Sequence, residues 1–328
     1  MKHTQPDLTD LRVCYEQIDI GQKLASSLPI GKRREQVLDS DIERIRRLPI
    51  WQDEVAVVPL GGGRTNFNYV VEDRSGKYVA RLGEDIVEHH VMRFNELAAS
   101  HAAHAARLSP AVVYAQDGLT VLEFVESKTF TSTDVRQQHN LEKILPLVRS
   151  CHRDIPAHLR GPVLVFWVFH VIRDYSAKLQ EMGSPYAALA SELRSIGNLL
   201  EVDAGPFDMV FGHNDLLAEN ILDDGDRLWL IDWDYAGYNS PLFDLGGLAS
   251  NNGLSQVQEM WMLENYFDAP VTDGLLRHYH AMKCASLLRE TMWSMVSEVT
   301  SNLDVDYAAY TADFHERFQQ TYQNYQQM

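Results

Sequence analysis

"VFGHNDLLAENILDDGDRLWLIDWDYAG", residues 210–237, decides how this chain reads. His213 and Asp215 are separated by one residue, Asn220 follows five residues after Asp215, and the apolar run "LWLI" (228–231) ends at Asp232. Carboxylates and an amide at this density are either solvated surface groups or one assembled charge-handling site. The apolar run predicts a strand that delivers Asp232 to the same point as Asp215 and Asn220.

Working outward, the segments before this stretch are of a different kind. "EVAVVPL" (54–60), "NFNYVVED" (66–73) and "KYVARLG" (77–83) are rich in β-branched and aromatic residues and are separated by "GGGR" and "RSGK". They predict an antiparallel meander. Residues 84–108 predict one long helix. "AVVYAQ" and "LTVLEFVE" predict a hairpin across Asp117-Gly118. From about residue 130 helical patterns dominate, and the apolar run "VLVFWVFHVI" (163–172) reads as a buried helix too short to span a bilayer. A small sheet first and helices later predict an α+β chain of two lobes. Residues 1–40 read as an extension, with a capped helix over 39–51, then a lobe over 41–127 and a larger one over 128–328.

Phosphoryl transfer needs groups of the kinds found here. A carboxylate takes the proton of the attacking hydroxyl, oxygen ligands hold Mg²⁺, and a cation and backbone amides hold the nucleotide. His213-x-Asp215 with Asn220 has the spacing of a kinase catalytic loop, in which Asp is the base and Asn reaches metal. The "GGGR" turn lets backbone amides approach phosphate without a Cβ in the way. Arg81 on the third strand is the candidate cation, and Glu88 on the following helix the carboxylate expected to hold it. The glycine hairpin, strand-borne cation, helix, hairpin, catalytic loop and strand-borne Asp arrive in the order that a kinase-like fold requires.

"FGHNDLLAENIL" with "LIDWDYAGYNSPLFDLG" resembles the aminoglycoside phosphotransferase and choline kinase superfamily, which shares the protein-kinase fold. "GGGRTNFNYVV", "YVARL" and the segment 292–318 resemble its choline/ethanolamine kinase branch. The resemblance covers most of residues 45–325. It implies a kinase dependent on ATP and Mg²⁺ that phosphorylates an amino alcohol, choline or ethanolamine first. Thiamine, an aminoglycoside or a nucleotide-binding pseudokinase are the alternatives. Asp215 is then the base, and Asn220 and Asp232 are the Mg²⁺ ligands. Gly61, Gly62, Gly63 and Asn66 form the phosphate loop with Arg81, and the backbone of Glu123 and Val125 in "LEFVES" (122–127) binds adenine. His213, Asp234 and Asp244 position the loop. Trp293 is the candidate cation-binding aromatic, with Tyr307 and Tyr310 beside it, and Glu290 is an acid suited to a primary amine.

Bulk composition narrows the partners. With 29 Lys and Arg against 46 Asp and Glu, the net charge of −17 argues against nucleic acid, whose phosphates require clustered basic residues. It is compatible with a cationic small substrate. Cys14, Cys151 and Cys284 fit no metal spacing and suggest a reducing, cytoplasmic setting. The close histidine pairs lack the accompanying ligands of a closed zinc site. No secretory signal core is evident at the amino terminus. A monomer or homodimer is expected.

Overall fold

A computed structural model describes residues 39–61, 66–301 and 305–328, in two units, Met1–Leu48 and Pro49–Met328. In the first unit the described part is a helix over 39–46, with Glu43 paired to Arg46 at 3.2 Å. The rest of the expected extension lies outside the described residues.

The second unit begins with five strands: β1 (Ala56–Leu60), β2 (Phe67–Asp73), β3 (Gly76–Leu82), β4 (Val112–Gln116) and β5 (Leu119–Glu123). All pairings are antiparallel and the order is β1-β2-β3-β5-β4. Alternation along β2 turns Tyr69 and Val71 inward. The β2–β3 turn is held by Asp73, whose Oδ1 accepts from the amide of Ser75 at 2.7 Å. Gly118 takes a φ of 68° in the β4–β5 hairpin, a conformation that glycine adopts without strain. The central strand is β3, so its buried residue Arg81, opposite Asn68 on one side and Thr120 on the other, sits in the middle of the sheet.

The single helix expected over 84–108 is shorter. Residues 84–92 form an extended bridge between Ile86 and Val91 around a 3-10 turn, Val87–His89, and only Arg93–Ala105 is α-helical. His90 adopts a φ of 62°, and Asp85 accepts from the amide of Arg93 at 2.7 Å, fixing a new helix start there. β-branched Ile86, Val87 and Val91 favour the extended conformation.

The remainder is mainly helical, with two small sheets. β6 (Lys128–Thr129), β8 (Ile221–Asp223) and β9 (Leu228–Leu230) form one, and β7 (Val210–Gly212) pairs with β10 (Gly237–Asn239) in the other. The apolar run at 163–172 is not one helix. Val165 bridges Tyr238, and the helix Val168–Glu181 begins only after Trp167, because the first half of the run completes the backbone pairing of β10.

At the centre lies the long helix Asp273–Thr300, buried continuously from Cys284 to Ser297. The helix Pro241–Asn252 crosses it closely: a Cβ on Gly246 would fall 2.9 Å from the Cα of Lys283. The closing helix Tyr307–Gln326 packs along it as well. Among the described residues, no helix is long and apolar enough to cross a membrane.

Candidate active site

The loop between β7 and β8 carries Asp215, and buried polar groups fix its shape. Asp244, on the first turn of the helix Pro241–Asn252, accepts from the backbone amides of His213 (2.8 Å) and Asn214 (2.7 Å) and from Nε2 of His152 (2.9 Å). Burial would raise the Asp244 pKa, but these hydrogen bonds and the neighbouring imidazoles hold it below the usual carboxylate range. Asn214 takes a φ of 63°, and its Nδ2 donates to the carbonyls of Tyr235 (2.9 Å) and Gly237 (3.1 Å). His213 is fully buried, packs on Trp233 and donates from Nε2 to the carbonyl of Ile231 at 3.0 Å. Burial pushes its pKa down, so a neutral ring orients the loop.

Asn220 donates from Nδ2 to the Asp215 carbonyl at 2.9 Å, which fixes its amide plane beside the catalytic-loop carboxylate. Asp215 itself is half-buried. Burial pushes its carboxyl well above the usual carboxylate range, Arg289 is the strongest opposing charge, and Glu290, Asp232 and Asp234 add to the rise.

Asp232 follows β9 with a φ of 68°, a left-handed conformation that Asp tolerates better than most residues. Its Oδ1 lies 2.6 Å from Nη2 of Arg81, which also meets Asp234 Oδ1 at 2.8 Å and, through Nε, Glu96 Oε1 at 3.1 Å. Arg93 joins the cluster, with Nη1 at 2.5 Å from Glu96 and 2.9 Å from Asp234. Glu96, not Glu88, therefore partners Arg81. The non-helical stretch before Arg93 leaves Glu88 on the 3-10 turn, half-buried, whereas Glu96 sits in the first helical turn and reaches Arg81. Two guanidinium groups against three carboxylates leave this cluster one negative charge in excess.

Asn66 is buried and donates from Nδ2 to Asp234 Oδ2 at 3.0 Å. Gly83 makes room for it, since a Cβ there would fall 2.2 Å from Asn66 Oδ1. Gly61 follows β1 and is exposed, while Gly62 and Gly63 lie outside the described residues. At the end of β5 the Glu123 amide donates to the carbonyl of Ala111 at 2.9 Å, and the Val125 carbonyl accepts from Ser127 Oγ at 3.0 Å.

Trp293, Glu290 and Tyr310 come together. The Trp293 ring lies 5.9 Å from Tyr310 and 6.0 Å from Tyr307, and Tyr310 donates to Glu290 Oε1 at 2.6 Å. Trp293 is only 5% exposed and donates from Nε1 to the Tyr235 hydroxyl at 2.9 Å. Arg289, absent from the sequence reading, pairs with Glu290 Oε2 at 2.6 Å and lies 4.1 Å over the Tyr235 ring and 5.6 Å from Phe166. Two signals pointed to the missed residues. Glu96 shares a helix face with Ala99 and Ala103, where an acid has to be paired. Arg289 and Glu290 are the only charged residues between Lys283 and Glu298.

A five-stranded sheet with one helix, a mainly helical body and a carboxylate loop at their junction define a kinase-type phosphotransferase acting on an alcohol group. The sequence pattern of the choline/ethanolamine kinase family matches residues 57–254, and the chain belongs to that family. It is 27% identical over 210 residues to the protein LicA of Haemophilus influenzae, a match spanning 62% of this chain and 61% of that protein. With ethanolamine kinase 2 of Mus musculus it shares 25% identity over 332 residues, 90% of this chain and 84% of the mouse protein. The crystal structure of choline kinase LicA from Streptococcus pneumoniae superposes with a TM-score of 0.69 at 24% identity, covering 90% of this chain and all of that one.

Proposed function

We propose that the chain transfers the γ-phosphoryl group of ATP, with Mg²⁺, to the hydroxyl of a small amino alcohol of the choline or ethanolamine type. The observation that carries this reading is the Asp215 carboxylate, presented on a loop locked by Asp244 and only partly exposed, with Asn220 hydrogen-bonded to its backbone and Asp232 among the charges acting on it. Asp215 accepts the proton of the acceptor hydroxyl as the hydroxyl oxygen bonds to the γ-phosphorus and the bond to ADP breaks.

The donor set suits Mg²⁺. Asp232, with a side chain 32% exposed, and the Asn220 amide oxygen are hard ligands. An ion of this kind takes one or two protein ligands together with the nucleotide phosphates. When bound there, the ion offsets the excess negative charge of the carboxylate cluster and the charge on the phosphates. Arg81, already tied to Asp232, Asp234 and Glu96, holds the Asp232-bearing segment and the helix Arg93–Ala105 in register with the sheet. Gly61–Gly63 and Asn66 are the proposed phosphate loop. At the hinge the Glu123 amide is committed to Ala111, so adenine would meet the Glu123 carbonyl and the Val125 amide. Trp293, Glu290 and Tyr310 form the proposed acceptor wall. The buried thiols Cys151 and Cys284 support a reducing, cytoplasmic setting.

ADP release with Mg-ATP and ethanolamine tests the reading. Release that requires acceptor and Mg²⁺, and is lost in Asp215→Asn, supports it. Acceptor-independent release, or none in a protein that binds Mg-ATP, counts against it.

A further inference from the structure

Arg81 and Arg93 serve overlapping sets of acids, and the overlap is uneven. Arg81 meets Asp232, Asp234 and Glu96. Arg93 meets two of the same three, Asp234 and Glu96. The third, Asp232, is the proposed Mg²⁺ ligand.

Arg93 holds the shared acids with directed bonds. Its Nη1 donates to Glu96 Oε2 at 2.5 Å and to Asp234 Oδ1 at 2.9 Å. Arg81 Nε approaches Glu96 at 3.1 Å without the geometry of a hydrogen bond, while its Nη2 donates to Asp232 at 2.6 Å. Arg93 is also anchored independently of Arg81. Its amide is capped by Asp85 at 2.7 Å, and its Nε donates to the Glu84 carbonyl at 2.8 Å. Its Nη2 is buried without a hydrogen-bond partner among the described residues, a donor in reserve on a guanidinium that already touches both carboxylates. Asp234 has a further donor in Asn66 Nδ2, at 3.0 Å.

With Asp232 committed to Mg²⁺, every acid around Arg81 therefore has another partner: Asp234 has Arg93 and Asn66, and Glu96 has Arg93. Arg81 can then turn to the phosphates of the nucleotide without leaving a buried carboxylate unpaired, the step that is otherwise costly.

We propose that Arg93 is a positioning residue for phosphoryl transfer: it keeps Asp234 and Glu96 in place so that Arg81 is released from the acid cluster to the phosphates when Mg²⁺ and nucleotide bind. The inference rests on the kinase reading and gives a role to a residue that acts through Asp234, Glu96 and Arg81 instead of touching substrate.

Two measurements on the full chain test it: calorimetric titration with ADP, in Mg²⁺ and in EDTA, and the side-chain Nε–H resonances of Arg81 and Arg93, assigned from Arg81→Lys and Arg93→Lys. In the wild type, Mg-ADP should shift the Arg81 resonance and leave that of Arg93, bonded to the Glu84 carbonyl, near its free position. Arg93→Met should weaken Mg-ADP by about 10- to 100-fold, because Arg81 is then tied to both shared acids. Arg93→Lys, which keeps the charge and loses the fork, should fall between. Metal-free ADP, which leaves Arg81 on Asp232, should bind wild type and both variants alike and weakly. An equal loss with and without Mg²⁺ would make Arg93 merely structural and overturn the proposal. So would an Arg93 resonance that shifts in place of Arg81's, an Arg81 resonance unmoved by bound Mg-ADP, or wild-type Mg-ADP affinity in Arg93→Met. Should Arg93→Met fail to fold, the wild-type resonances and Arg93→Lys decide the matter. Failure of the wild-type chain to bind Mg-ADP would sink the kinase reading and the inference with it.

Discussion

Arg81 and Asp232 are 151 residues apart in sequence and meet at 2.6 Å, joining the central strand of the sheet to the end of β9. Arg81→Met would leave Asp232, Asp234 and Glu96 facing one another with Arg93 alone to balance them. Breaking a buried pair from one side costs roughly 3–5 kcal/mol. Urea denaturation should show a loss of that order, whereas Glu88→Gln should stay within about 0.5 kcal/mol of wild type. Equal effects of the two substitutions would contradict the assignment of Glu96 as the partner.

The pH profile reports the state of Asp215. Its pKa is raised by burial and its base role requires the carboxylate, so kcat/KM should rise with pH through a free-enzyme pKa above the ordinary ~3.9 of Asp. Arg289 opposes that rise, while Glu290, Asp232 and Asp234 reinforce it. Arg289→Met should therefore move the acid limb to higher pH, and an unmoved limb would place Arg289 away from the catalytic carboxylate.

His89 couples stability to pH. Its ring meets the Tyr175 hydroxyl (3.1 Å) and Ser297 Oγ (2.9 Å), and burial first, then Arg289 and Lys178, lower its pKa to about 3. The unfolded chain binds a proton at His89 below pH ~6.5 and the folded chain does not, so its contribution is full above that value. It is lost as pH falls toward the folded value, at about 1.4 kcal/mol per pH unit. The difference in stability between wild type and His89→Gln should change with that slope between roughly pH 6 and 4. A pH-independent difference would mean that the folded chain charges the ring.

Helix crossing at Gly246 has no slack. Gly246→Ala would drive a methyl against the backbone of Lys283 and should cost roughly 1–3 kcal/mol in chemical denaturation.

The parts of the site legible in sequence are those fixed by local spacing. His213, Asp215, Asn220 and Asp232 lie within 20 residues of one another, and a loop, a hairpin and a strand suffice to bring them together. The meander was legible for a similar reason, through alternation and glycine turns. What failed depended on distant backbone partners. Residues 84–92 have helix-forming composition, but Asp85 caps a later start and Ile86 pairs with Val91, so Glu96 takes the place assigned to Glu88. Residues 163–167 are as apolar as a helix core, yet their backbone serves β10. The contacts of Trp293 with Tyr235 and of Glu290 with Tyr310 are not legible locally, because the partners are distant in sequence.

The central claim is that Asp215 moves a proton during phosphoryl transfer, and single-turnover ADP release in Asp215→Asn tests it most directly. With ethanolamine as acceptor, the account predicts a chemical step slowed by about 10²–10⁴-fold while the Mg-ATP dissociation constant stays near wild type. An unchanged rate, or a fall in rate matched by an equal loss of Mg-ATP binding, would contradict it.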